Sequence, residues 1–233
     1  MMRRLIDSFL KRVEPSARLS FAQCGEDVLI SFLVEALGIR SGTYIDIGAN
    51  DPRHFSNSYL FYRKGWTGIC VEPQSHLCDE IRRLRPRDAV ANCGLGLQSG
   101  KLNFFEISPN TLSTFDAEVA KRYEAVGHRI VNEREIPVLS VKEFLQGYPA
   151  LKQLDIMSID IEGDEVPIVR EFVHAGLKPK VLICETRDYA PVVGGGRKDQ
   201  RKMEELTALG YSVYADTYIN TVFLDQALLP SSE

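Results

Sequence analysis

A doubly wound α/β sheet, mostly parallel and closed by an antiparallel C-terminal hairpin, is the fold this sequence predicts. Three observations carry it. Short apolar or β-branched runs alternate with stretches of helical periodicity along the chain. Two of those runs end in acids, Asp46 and Glu72, 26 residues apart. The last two runs follow one another with no helix between them.

In order, a helix over Asp27–Leu37 precedes a strand at Thr43–Ile47, and further strands are expected at Gly68–Glu72, Ala89–Asn92, Ile156–Asp160 and Lys180–Glu185. Helical periodicity fills the gaps at Ser56–Lys64, His76–Arg83, Asp116–Tyr123, Val141–Gln146, Glu165–Ala175 and Asp199–Leu209. Alternation of this kind implies right-handed crossovers and a sheet covered on both faces. Tyr211–Tyr214 and Thr221–Leu224 are then joined by Ala215–Asn220 alone, a hairpin. Residues 101–137, apolar over Leu102–Ile107 and polar afterwards, read as an insertion above the carboxyl edge of the sheet, where insertions shape substrate pockets.

With 233 residues, 44% hydrophobic and 26% charged, the chain suits one domain, residues 21–233, preceded by an N-terminal segment, residues 1–20. A net charge of −4 with both signs interspersed gives no basic face for a phosphate backbone, so no nucleic-acid partner is expected. The five cysteines show no paired or metal-ligand spacing and fall largely in apolar runs, which points to free thiols and a cytoplasmic setting; no bound metal is expected. No run approaches the ~20 apolar residues that span a bilayer, and the start lacks a signal-peptide pattern. Leu5, Ile6, Phe9, Leu10 and Val13 do share a helical face opposite Arg3, Arg4, Lys11 and Arg12. Peripheral membrane contact through residues 1–14 is one expectation; a helix that caps the core or meets a second copy is the other. Oligomeric state is not legible.

The chemistry gathers at strand ends. Tyr44-Ile45-Asp46-Ile47-Gly48-Ala49-Asn50-Asp51 runs from a buried strand into a glycine turn, and Asp46 there suits a ligand ammonium. The spaced glycines of a pyrophosphate-cradling turn are missing, which argues against NAD and FAD. Glu72 at the next strand end can accept both hydroxyls of a ribose. Asn92, with Gly94 and Gly96, is expected to edge a nucleobase, although a structural turn explains the glycines as well. The fourth strand ends Asp160-Ile161-Glu162-Gly163-Asp164-Glu165, an acidic density that needs a compensating cation. Asp164 and Glu165 are assigned to the first turn of the next helix, where acids favour its dipole; Asp160 and Glu162 are assigned to the site. A sulfonium nucleoside, S-adenosylmethionine, fits these acids. A divalent metal on Asp160 and Glu185 is the less favoured alternative.

Phe21-Ala22-Gln23-Cys24-Gly25-Glu26-Asp27, Tyr44–Asp51, Ser56-Asn57-Ser58, Gly65-Trp66-Thr67-Gly68, Glu72-Pro73 and Asp160-Ile161-Glu162-Gly163 together resemble the FkbM family of methyltransferases, over roughly residues 21–224. The resemblance implies a class I, Rossmann-like methyltransferase fold, S-adenosylmethionine as cofactor, and transfer to a hydroxyl of a small metabolite or glycan. It makes Asp46, Gly48, Asn50, Glu72 and Asp160 cofactor-pocket residues, with Gln23 and Glu26 as extra contacts. The closing hairpin agrees with it.

A hydroxyl nucleophile needs a base. Asp160 or Glu162 is the first candidate; His54, past the first strand and of a residue type that titrates near neutrality, is the second. Gly194-Gly195-Gly196-Arg197-Lys198 is read as a flexible basic loop over the acceptor or as a solvated linker. Two rival functions are a nucleotide-dependent oxidoreductase and a cofactor-binding scaffold without activity.

Overall fold

The computed structural model describes residues 14, 16–161, 163, 165–187 and 196–230. The helix expected over residues 1–14 therefore lies, but for Glu14, outside the described residues, and so do Glu162, Asp164, Gly194 and Gly195.

Along the chain, α1 (Glu26–Ala36) leads to β1 (Thr43–Ile47), α2 (Tyr59–Arg63), β2 (Thr67–Val71), α3 (Ser75–Leu84), β3 (Ala89–Ala91) and β4 (Gly94–Gly96). Then come β5 (Gly100–Ser108), α4 (Ala117–Ala125), β6 (Arg129–Ser140), α5 (Val141–Gly147), β7 (Ile156–Ile159), α6 (Glu165–His174) and β8 (Val181–Glu185). The chain finishes with α7 (Gln200–Ala208), β9 (Tyr211–Asp216) and β10 (Asn220–Asp225). Seven strands form one sheet in the order β3-β2-β1-β7-β8-β10-β9. All neighbours in it run parallel except β10, which is antiparallel to both β8 and β9. The doubly wound sheet with its antiparallel hairpin is thus present, and its strand order reverses between β1 and β7, where such sheets bind ligands.

The central strands read as unbroken apolar runs because helices cover both faces. Ile45, Met157 and Leu182 pack under Phe144 of α5, Phe172 of α6 and Leu206 of α7. Their neighbours Tyr44, Ile156 and Val181 face Ile30 of α1 and Phe61 of α2 on the other side. Helix starts are set by side-chain caps: Asp116 accepts from the Glu118 and Val119 amides, Ser140 from Glu143, and Asp199 from Lys202. Asp116 and Asp199, expected inside their helices, are therefore caps. Helix α2 starts three residues later than expected: Ser56 Oγ accepts from the Tyr59 amide at 3.2 Å ahead of its first turn, and Ser58 donates to Asp46.

Residues 101–137 form the greater part of an arm. With β4 and β6 they make a second sheet, β4-β6-β5, whose strand β6 was not expected from sequence. Its exposed, charged face and Pro137 hide the alternation, which only Ile136 and Val138 mark as buried. Among the described residues, no helix is long and apolar enough to cross a membrane.

Candidate functional site

A cavity of about 750 Å³ opens at the carboxyl edge, across the β1/β7 reversal and under the arm. Asp46, Gly48, Asn50, Glu72, Asp160, Gln23 and His54 all line it, so seven of the expected site residues, drawn from four separate segments, meet in one place.

Gly48 is what lets β1 and β7 end side by side. Its φ is +79°, and a Cβ there would stand 2.0 Å from the Asp160 carbonyl oxygen. The close approach that sequence reasoning gave to a ligand is thus an approach to the neighbouring strand's end. Asn50 follows in the left-handed region at φ 46°, which asparagine tolerates better than most residues, and its amide donates to Glu72 Oε2 at 2.9 Å. Glu72 Oε1 accepts from the Gln74 amide at 2.7 Å. Burial nevertheless pushes the Glu72 carboxyl up to about 7, against the pull of those two amides.

Asp46 is buried and its proton affinity is raised by that burial, while Arg85, Ser58 and Ser158 pull the other way. Behind it lies a polar network that sequence reasoning did not find. Ser58 donates to Asp46, and Arg85 Nη2 donates to Ser58 at 2.8 Å and to the Tyr44 hydroxyl at 3.1 Å. Arg85 Nε pairs with Asp88 at 2.7 Å, both side chains being fully buried. In the sequence Arg85 is one of several arginines in a charged stretch, Arg82 to Asp88, that resembles a solvated face; no local signal separates it from its neighbours.

Asp160, just past the end of β7, is exposed to the cavity it lines. Burial and then the Glu165 charge raise its carboxyl to about 6, and a hydrogen bond with Glu185 and the nearby Lys202 ammonium restrain the rise. Lys202 Nζ pairs with Glu165 at 2.9 Å. Glu165 is buried at the start of α6, as its assignment to the first turn required. No group of three or more His, Cys, Asp or Glu among the described residues is placed to hold a metal ion.

Two expected contacts stand elsewhere. Glu26 is buried off the cavity, where it accepts from the Cys24 amide at 2.8 Å, the Thr217 hydroxyl at 2.7 Å and the Asn220 amide at 2.9 Å. It ties α1 to the hairpin; the cavity contact falls to Gln23 and Asn220 instead. Asn92 also lies off the lining, its amide donating to the Glu72 and Pro73 carbonyls at 3.0 and 2.9 Å, so it braces the β2 end. Cys93, Gly94, Leu95 and Gly96 take its place along the wall, with Phe104 and Phe115 of the arm beside them. His54 is exposed and packs against Phe55, ring centroids 3.9 Å apart and planes tilted by 42°. Of the expected basic loop, Lys198 is paired with Asp216 at 2.8 Å.

Over residues 46–213 the sequence matches the model of the methyltransferase FkbM domain. The chain belongs to the FkbM family of methyltransferases. The match begins at Asp46 and includes Glu72 and Asp160, so the acids that line the cavity fall inside the family domain. Membership makes the chain a methyltransferase with S-adenosylmethionine as its cofactor, and it removes the oxidoreductase reading. The residues fit that cofactor on their own terms: buried carboxylates, Asp46 and Glu72, whose proton affinity burial raises, and an Asn57 side-chain oxygen that is buried in the cavity wall without a partner. Solved structures similar to this FkbM chain include a TehB-like SAM-dependent methyltransferase from Corynebacterium glutamicum (10% identity, 96% of this chain and 97% of that one, TM-score 0.43). An O-methyltransferase from Bacillus cereus in complex with SAH (14%, 95% and 88%, 0.43) and a putative O-methyltransferase from Klebsiella pneumoniae (8%, 95% and 96%, 0.45) are comparable. Likeness this distant adds nothing to what the strand order already shows. No curated protein matches the sequence.

Proposed function

We propose that this FkbM methyltransferase acts on a hydroxyl oxygen of a small metabolite or glycan, in the cytoplasm, with Asp160 as the base. The position of Asp160 carries the proposal: a carboxyl raised to about 6 opens onto the cavity at the strand reversal. The cofactor, when bound, supplies an electrophilic methyl group on a sulfonium. Asp46 and the Asn57 oxygen would hold its ammonium, and Glu72 its ribose hydroxyls. The walls near Gly94 and Leu95, with the arm above, would keep water from its base.

Asp160 then has two tasks. As an anion beside the reacting end it favours positive charge there, and as a base it takes the acceptor's hydroxyl proton on a carboxylate oxygen. Glu185 and Lys202 hold it in place and keep its proton affinity from climbing further. Positioning supplies most of the barrier reduction in such a displacement, and a placed base contributes ~10²–10⁴-fold. His54 and Glu162 are the other candidate bases; the first is exposed at the rim and the second lies outside the described residues. The free state of all five cysteines, four of them buried, supports the cytoplasmic setting.

The test is transfer of labelled methyl from S-adenosylmethionine to fractionated metabolites and glycans by the wild type and by Asp160→Asn. Turnover in the variant should fall by ~10²–10⁴-fold with S-adenosylhomocysteine affinity little changed. Full turnover in Asp160→Asn removes Asp160 as the base. Tight cofactor binding with no transfer to any fraction favours the inactive scaffold.

A further inference from the structure

Among the described residues twelve large hydrophobic side chains are exposed, and two of them, Phe55 and Leu102, line the cavity. They belong to different halves. Leu102 lies on β5 beside Phe104, whose ring packs on Phe115, and Phe115 abuts Gly94. That places Leu102 with the β3–β4 wall, on the nucleobase side.

Phe55 stands on the other side. The residue after it, Ser56, donates its amide to the Phe21 carbonyl at 3.0 Å, and Asn57 donates to Ser158 of β7 at 3.1 Å. Phe55 is therefore tied to the segment that brings Gln23 and to the strand that leads into Asp160. Its backbone is in the left-handed region, φ 55°, which a bulky side chain adopts only when its surroundings impose it. Here both flanks impose it. Asp51 Oδ1 accepts from the Arg53 and His54 amides at 2.8 and 2.7 Å, and buried Arg85 reaches the Pro52 carbonyl and the Ser56 hydroxyl, each at 3.4 Å. The result is a residue 49% exposed, its ring tilted at 42° against His54, on the wall of the cavity that Asp160 also lines. A strained backbone that holds an aromatic side chain at the wall of the cavity is the observation from which a recognition role is argued.

We propose that Phe55 is the acceptor platform: the acceptor carries its hydroxyl on a ring whose flat apolar face, aromatic or the C–H face of a pyranose, lies on the Phe55 ring within reach of Asp160. This rests on the hydroxyl-transfer reading above and names the shape of the substrate that reading leaves open. Phe55 sets specificity through contact and takes no part in proton transfer.

The experiment uses the full chain saturated with S-adenosylhomocysteine and three probes: catechol, methyl β-D-glucopyranoside and glycerol. Binding is followed by saturation-transfer NMR, and methylation with S-adenosylmethionine is read separately. At least one ring probe should bind about tenfold more tightly than glycerol. Phe55→Ala should abolish that preference, Phe55→Trp should restore it, and S-adenosylhomocysteine affinity should stay unchanged in both. Which ring probe is preferred separates an aromatic acceptor from a sugar. Ring probes that bind no better than glycerol, a preference that survives Phe55→Ala, or a matching loss of S-adenosylhomocysteine affinity in Phe55→Ala would each overturn the platform. Methylated hydroxyl products without any Phe55 dependence sink the platform and leave hydroxyl transfer standing. A Phe55-dependent ring preference with no methyl transferred to a hydroxyl of any probe, metabolite or glycan fraction does the reverse.

Discussion

Replacing Gly48 with alanine perturbs one carbon atom at the junction on which the site depends. The added Cβ would meet the Asp160 carbonyl oxygen at 2.0 Å, and the obstacle is backbone, with no flexible side chain to swing aside. Two costs follow. A Cβ at φ +79° costs ~1–2 kcal/mol by itself, and relief of the contact requires the β1 turn and the β7 end to part by on the order of 1 Å, a further penalty of similar size. A total of about 2–4 kcal/mol in a chain of this length corresponds to a fall in melting temperature of roughly 5–15 °C. The functional loss should be larger than the stability loss suggests. Asp46 and Asp160 flank the junction, and a misplacement of ~1 Å is worth about 10²-fold. The assay is calorimetric titration with S-adenosylhomocysteine below the lowered melting temperature, together with kcat/KM for the cofactor once an acceptor is in hand. A Gly48→Ala protein that melts and binds as the wild type does would refute the claim that this approach of two strand ends builds the site.

Four further outcomes follow from the same geometry. Glu72, its carboxyl raised to about 7, is the better acceptor of ribose hydroxyls when ionised, so S-adenosylhomocysteine affinity should rise as the pH passes upward through about 7 and become flat in Glu72→Gln. In the ligand-free protein the sign reverses: the raised carboxyl favours the fold below its ordinary value of 4.5, and that contribution is lost as pH climbs to about 7, a slope that Glu72→Gln should remove from melting curves. Arg85→Met leaves the buried Asp88 carboxylate with the Tyr44 hydroxyl and the Gly68 amide but no cation, and should cost ~3–5 kcal/mol in denaturant unfolding; a loss under about 1 kcal/mol would show that the buried pair is not needed. Turnover should rise with pH through about 6 as Asp160 ionises, and a profile that keeps this limb in Asp160→Asn would assign it to another group.

The strands and their acidic ends were legible because a sheet covered on both faces demands unbroken apolar runs, and because carboxylates at the ends of such runs are costly without a ligand. Asp46, Glu72 and Asp160 are visible on that ground alone. Glu26 misled for a related reason: an acid near a motif looks like a ligand contact, while its three donors, the Cys24 amide, Thr217 and Asn220, include two that lie nearly two hundred residues away. Asn92 is the same case at shorter range. The arm was half visible, since β5 shows its apolar residues while β6 carries Asn132, Glu133, Arg134 and Glu135 in a row. Arg85 and the platform at Phe55 were invisible, because burial of one arginine among several and the sign of one φ are properties of the assembled fold and leave no periodic trace in the chain.

Calorimetric titration of the wild type, Asp46→Asn and Glu72→Gln with S-adenosylhomocysteine, and of the wild type with NAD, reaches the core of the account. Wild-type protein should bind the sulfur nucleoside and not the dinucleotide, and each substitution should weaken binding by ~10- to 100-fold. Equal affinity in all three proteins, or a wild type that takes NAD in preference, would contradict the assignment of this rim of buried acids to S-adenosylmethionine.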